Sequence, residues 1–187
     1  MANWIATFAF LASAALAHWA TLEAAPGAIM SRAMDAMETR GIPLHGFVLV
    51  PRATPQNQSV VRPSPDLAYS ICRYDLESAP QGLSIVAGAY SGMASVSFFD
   101  AETNNFATFR LSEGRDTSIR LINTDMNGET VATLGEDVAV SPSQKGLVLI
   151  RRLASTAAQY DRVKSVALQD QCSPFDGGLG NGTGPAE

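Results

Sequence analysis

Between Arg62 and Asn105 the chain reads RPSPDLAYSICRYDL, then QGLSIVAGAY, then SGMASVSFFDAETNN, three alternating apolar segments punctuated by Pro80, Gly88 and Gly92. Side chains that alternate every second residue turn one face to a core and one to solvent, and the proline and glycines between the runs supply turns. A chain with this pattern at its centre is committed to antiparallel sheet. Within Leu67–Asp75 one face presents Leu67, Tyr69, Ile71 and Arg73, the other Ala68, Ser70, Cys72 and Tyr74. Leu83–Ala87 and Met93–Phe99 follow at hairpin spacing. Phe106–Leu111, Ser118–Ile122, Thr130–Leu134, Asp137–Val140 and Leu147–Arg152 continue the set, with Asn127-Gly128 as a two-residue hairpin turn. Upstream, Gly46–Val50 is a short apolar strand stopped by Pro51, after which Pro55, Pro63 and Pro65 keep the path extended. Short strands without helices between them describe a mainly β domain, an antiparallel sandwich or barrel.

The flanks are helical. Trp4–Leu22 carries no charged side chain and has a tryptophan near each end. At about 1.5 Å per residue such a helix matches the hydrocarbon thickness of a bilayer, and the indole rings suit the interface. The rival is a cleaved signal peptide, because Ala15-Leu16-Ala17 resembles a processing site. The absence of Lys or Arg before Arg32 favours a retained anchor. His18 lies in this segment beside Trp19, where an interfacial neutral imidazole is favoured over a buried functional one. Pro26 suits a first helical turn and Gly41 a C-terminal cap, so a second, amphipathic helix is expected between them. Its apolar face holds Met30, Ala33, Met34 and Met37, which pack on the chain's own sheet or meet a partner. A last helix starts at Thr156 with Gln159 completing a capping box, and Tyr160, Val163, Ala167 and Leu168 form its stripe. The expected organisation is an anchor over 1–24, a connecting helix over 25–45, a β domain over 46–173 and a disordered Gly-rich tail over 174–187.

Charge and chemistry narrow the function. A net charge of −5 leaves no basic stripe to displace counterions, which argues against nucleic acid. Arg151-Arg152, the one adjacent basic pair, reads as a solvated strand end rather than a phosphate site. No nucleotide-binding glycine loop, zinc signature or cofactor motif is present. A Ser/His/Asp triad would have to use His18 or His45, so nucleophilic hydrolysis is not favoured. Two polar clusters remain as candidate sites, Asp66 with Tyr69 and Asp75 about the first long strand, and Asp100, Glu102, Thr103, Asn104 and Asn105 at a later strand end. Paired carboxylates can move protons or hold a cation, but Asp and Asn at strand ends more often bond their own backbone, and that reading is preferred. The two cysteines, Cys72 and Cys172, are buried thiols in a reducing compartment and a bridge in an oxidising one.

The segments SPDLAYS with the following YDL (Ser64–Ser70, Tyr74–Leu76), SFFDAETNNF (Ser97–Phe106) and RRLAS…ALQDQC (Arg151–Ser155, Ala167–Cys172) resemble the bacterial domain of unknown function 1254. The resemblance implies a β-sandwich or jelly-roll-like fold and an envelope location, in a short membrane-anchored form of the family. It supplies no catalytic residues. Soluble members carry Asn-x-Asp-Thr where this chain has Ser64-Pro65-Asp66-Leu67, so any polar site built on that Asn and Thr is missing here. An envelope location makes a Cys72–Cys172 disulfide the expectation, joining the first long strand to the end of the last helix. The chain is expected in the bacterial inner membrane as a single-pass protein; Arg32 and Arg40 after the anchor would set the β domain in the cytoplasm by the positive-inside rule, but the cysteine pair outweighs two arginines and favours a periplasmic domain. The longer relatives fuse this domain to domain of unknown function 1214. A separate membrane-anchored protein carrying that domain is therefore the expected partner, with Met30, Met34 and Met37 as a contact. The first functional expectation is a non-enzymatic interaction or assembly subunit. The second is a ligand- or glycan-binding β domain, with a concave site lined by Tyr69, Tyr74, Phe98 or Tyr90. The third is an enzyme using Asp66, Asp75 or Asp100.

Overall fold

A computed structural model describes residues 2–54, 63–124 and 137–175. The order of elements is α1 (Ala2–Thr39), β1 (Val48–Leu49), β2 (Leu67–Asp75), β3 (Leu83–Ala87), β4 (Ala94–Phe99), β5 (Asn105–Arg110), β6 (Thr117–Asn123), β7 (Val138–Ser141), β8 (Lys145–Leu153), α2 (Ala157–Ala167) and β9 (Gln171–Pro174). The strands form a five-stranded sheet ordered β1-β2-β8-β4-β5 and a four-stranded sheet ordered β7-β6-β3-β9. The fold is mainly β, with the expected helix at each end.

The alternation in β2 resolves in favour of the face carrying Ala68, Ser70, Cys72 and Tyr74, all buried. Across the sheet this row continues inward as Val148 and Ile150 of β8 and Val96 and Phe98 of β4, while Leu83, Ile85, Ile119 and Leu121 face them from the second sheet. These apolar side chains make one core, at roughly 1.5–3 kcal/mol for each large side chain buried. Among the described strands every pairing is antiparallel except β6 with β7, which run parallel from Arg120↔Val138 to Asn123↔Ser141. Asn127-Gly128 and Thr130–Leu134 lie outside the described residues, as do Pro55 and the tail beyond Phe175.

Two boundaries differ from the sequence reading. The anchor and the connecting helix are one continuous helix with Pro26 inside it. A proline forfeits the bond to the carbonyl four residues back, which is why the sequence suggested a fresh start there. The alanines around it, Ala24, Ala25 and Ala28, are the strongest helix formers and carry the helix through. The end of α1 is as expected. Gly41 has φ +79, and the amides of Gly41 and Ile42 bond the carbonyls of Glu38 and Met37, a Schellman cap.

The second difference concerns Cys172. The chain leaves α2 and forms β9, a four-residue strand that pairs Ile85 with Cys172. The Cys72–Cys172 disulfide, Cα atoms 6.5 Å apart, therefore staples β2 of one sheet to β9 of the other, rather than a strand to a helix end. In α2 the capping box of Thr156 and Gln159 is formed, and Tyr160 and Val163 are buried. Leu168, read as the end of the stripe, is 88% exposed, and Val166 packs against the core in its place.

Candidate functional site

The last residues of β2 and the first of β8 meet α1 in a groove of about 410 Å³. Met30 and Met34 form its helical wall, Tyr74 and Gly146 its floor, and Arg73 and Lys145 bring the cations. Arg73 lies on the outward face of β2, yet it is 7% exposed because α1 covers it. Its guanidinium donates to the carbonyls of Ile42 (3.0 Å) and Met34 (3.4 Å) and to the Glu38 carboxylate (3.1 Å), fastening the end of α1 to the sheet. Lys145 sits opposite Asp75 in register and pairs with it at 3.3 Å.

Below the groove Tyr74 is fully buried. Its hydroxyl donates to the Phe99 carbonyl (3.1 Å) and lies 2.9 Å from Ser141 Oγ. Burial pushes its pKa up to about 12. Gly146 is obligatory beside it, because a Cβ there would fall 2.1 Å from the Phe99 carbonyl oxygen and 2.5 Å from the tyrosine hydroxyl.

A second polar centre lies inside the sandwich. Arg152, read from sequence as solvated, is 1% exposed. Its two terminal nitrogens grip both carboxylate oxygens of Asp170 at 2.8 and 2.6 Å, and one reaches the Gly88 carbonyl at 3.2 Å. Asp170 also accepts from the Ser70 hydroxyl (2.9 Å) and the Gly88 amide (3.1 Å). No sequence spacing pointed to this pair, although both members fall within the RRLAS…ALQDQC segment. The available signal was phase: Arg152 occupies the inward-facing alternate of β8, whereas Arg151 occupies the outward one.

The predicted clusters do not converge. Asp66 precedes β2 and Asp75 ends it, roughly 30 Å of strand apart at about 3.3 Å per residue. Asp66 is exposed, and the Tyr69 hydroxyl accepts from the Ser64 amide at 3.1 Å. Asp75 caps its own turn by accepting from the Glu77 amide at 3.0 Å. Asp100, 4% exposed, accepts from the amides of Glu102 (2.9 Å) and Asn104 (2.7 Å) and from Asn104 Nδ2 (2.9 Å). Asn105 bonds Thr108 at 3.0 Å. Asp75 and Asp100 thus bond the backbone of their own turns. His45 places Nε2 against the backbone of Asp75, 3.0 Å from the carbonyl and 3.1 Å from the amide, in a residue with φ 54.

The concave aromatic site is corrected outright. Tyr74, Phe98 and Tyr90 are buried in the core, and only Tyr69 is left half-buried on the outer face. Met30 is 6% exposed and committed to its own chain, while Met34 and Met37 are half-buried.

The other half of α1 packs against no other element among the described residues. The helix is long and apolar enough to cross a membrane, with a mean hydropathy of 1.5 and none of its most apolar window buried. Trp4, Phe8, Phe10, Leu16, Trp19 and Leu22 are each more than half exposed.

The family model described as a protein of unknown function, DUF1254, matches residues 46–174. Among solved structures, that of the VPA0106 protein from Vibrio parahaemolyticus is similar, with a TM-score of 0.53 and 11% sequence identity. The likeness covers 80% of this chain and 35% of that one, so the chain spans about a third of that relative, and at this identity it speaks for the fold alone. No curated protein matches.

Proposed function

The chain belongs to the DUF1254 family, and from that premise we propose that it is a membrane-anchored envelope protein whose β domain serves interaction or assembly rather than catalysis. The observation that carries this reading is the exposed apolar half of α1. Side chains such as Trp4, Phe8, Leu16 and Trp19 have no protein partner among the described residues, and hydrocarbon removes that surface from water. The disulfide supports an oxidising, periplasmic side for the β domain, since such bridges persist where thiols are not kept reduced. The partner in this reading is a second membrane-anchored protein bearing domain of unknown function 1214. It would meet the half-buried Met34 and Met37 and the small face of α1 at Ala20, Ala24 and Ala28.

Purified full-length chain is expected to float with phosphatidylcholine–phosphatidylglycerol vesicles and to resist alkaline carbonate. Intact mass should show the residues before His18 retained. Recovery in the soluble fraction, or a mature species starting near His18, would end the anchor reading. For the partner, co-expression with a tagged domain 1214 membrane protein should give one complex in mild detergent, with an interface above about 1,000 Å². A monodisperse monomer would reject it.

A further inference from the structure

The outward face of the five-stranded sheet carries a row that the membrane reading does not use. Register sets Tyr69 of β2 beside Arg151 of β8, Arg151 beside Ser95 of β4, and Ser95 beside Arg110 of β5. Their neighbours Ser70, Ile150 and Val96 face the core, so this row faces out. One residue row away, Ser97 stands beside Thr108, their hydroxyls 3.0 Å apart, and Arg151 Nη2 reaches Ser97 Oγ at 2.5 Å. Arg151 and Arg110 thus stand on the strands either side of Ser95, their backbones about 10 Å apart at two strand spacings. In a chain of net charge −5, neither makes an ion pair with a described residue, and Arg151 Nε is shielded from water without a hydrogen-bond partner among the described residues.

Two like charges on one face repel, and an anion midway between them gains about four times what they lose at any separation, since Coulomb energy falls as the inverse of distance. Guanidinium favours planar oxyanions that accept two parallel bonds. The surroundings select the rest of the ligand. The half-buried Ser95 and the exposed Thr108 bring hydroxyls that both donate and accept, and Tyr69 offers a ring held in place through its hydroxyl. The row runs across four strands, which suits an extended chain. We infer that this face binds an acidic carbohydrate, its carboxylate seated between Arg151 and Arg110 over Ser95 and a neighbouring sugar ring on Tyr69.

The test uses the full-length protein in detergent and isothermal titration with tetragalacturonate, the neutral cellotetraose and inorganic tripolyphosphate. Tetragalacturonate should bind, weakening as salt rises, with cellotetraose at least about tenfold weaker because it lacks the charge-assisted bonds. Arg110→Gln and Arg151→Gln should each weaken tetragalacturonate about fivefold or more, without change in its number of sites. Arg151 also supports Ser97, so the exposed Arg110 keeps the test decisive if the Arg151 variant does not fold. Equal binding of cellotetraose, tighter binding of tripolyphosphate, no binding at all, or an unaffected Arg110 variant would each overturn the inference.

Discussion

At the scale of single residues, the fold rests on a few polar groups taken out of water with their partners. Arg152 and Asp170 are the extreme case, with side chains 1% and 0% exposed. Removing one member leaves the other buried and unpaired, which costs about 3–5 kcal/mol, whereas replacing both with apolar groups of similar size is often neutral. Asp170→Asn is therefore expected to destabilise by that amount in urea unfolding, and the pair Arg152→Met with Asp170→Leu to be less harmful than Asp170→Asn alone. A single variant within about 0.5 kcal/mol of the parent would show that water reaches the pair. Tyr74 gives a pH signature. Its folded pKa is raised to about 12 from 10.0 by burial, so above pH 10 the unfolded chain releases the proton that the folded chain still holds. Stability from this group is complete below pH 10 and falls as pH rises towards 12, by roughly 2–3 kcal/mol. Denaturation midpoints followed from pH 9 to 12 should drop in the parent, and the drop should be smaller by that amount in Tyr74→Phe. Parallel curves would mean that the phenol ionises freely.

At the scale of elements, the sandwich is closed on one side by α2 and β9, a strap held by the disulfide, the Asp170 contacts, the pairing of β9 with β3 and the Tyr160 hydroxyl on the Val50 carbonyl. The disulfide closes a sequence separation of 100, and in the loop-entropy view such a closure contributes about 4–5 kcal/mol. Reduction, or Cys72→Ala with Cys172→Ala, should lower the urea midpoint accordingly, and an unchanged midpoint would assign the closure to Asp170 and β9. Much of this was legible. The strands Leu83–Ala87 and Leu67–Asp75, the box at Thr156 and the cap at Gly41 rest on local rules, namely period-two alternation, side-chain capping and positive φ, and these survive in any tertiary setting. What failed needed the other half of the molecule. Gln171–Pro174 becomes a strand only because β3 offers it an edge, and no four-residue run signals that. Arg152 looked solvated because a strand-end arginine usually is, and its counter-ion lies beyond a helix. The same ignorance misplaced Tyr74, Phe98 and Tyr90, since alternation gives two faces without saying which is inside. The outer row of Tyr69, Arg151, Ser95 and Arg110 depends wholly on register across four strands, which local pattern does not contain.

At the scale of the whole molecule, α1 divides into two halves with different partners. The half from Gly27 to Glu38 lines the groove, buries Met30 and is held by Arg73 through Glu38 and two carbonyls. Glu38 is 71% exposed, so its ion pair contributes little, about 0–1 kcal/mol, and the docking rests on Met30, Ile42 and the carbonyl bonds. The half before Glu23 contributes apolar surface to solvent and none to the core. Free energies of regions that share no contacts add, within about 0.3–0.5 kcal/mol. Insertion in a bilayer and folding of the β domain should then be separable. A chain beginning at Ala24 retains every docking contact named above and the disulfide, and loses only the exposed apolar turns. It is expected to unfold in urea within about 0.5 kcal/mol of the full-length chain in detergent, to remain soluble without detergent, and to lose all flotation with vesicles. Loss of more than about 2 kcal/mol on truncation would mean that the apolar half folds back on the sandwich in solution, and the helix would then be part of the core instead of a membrane anchor.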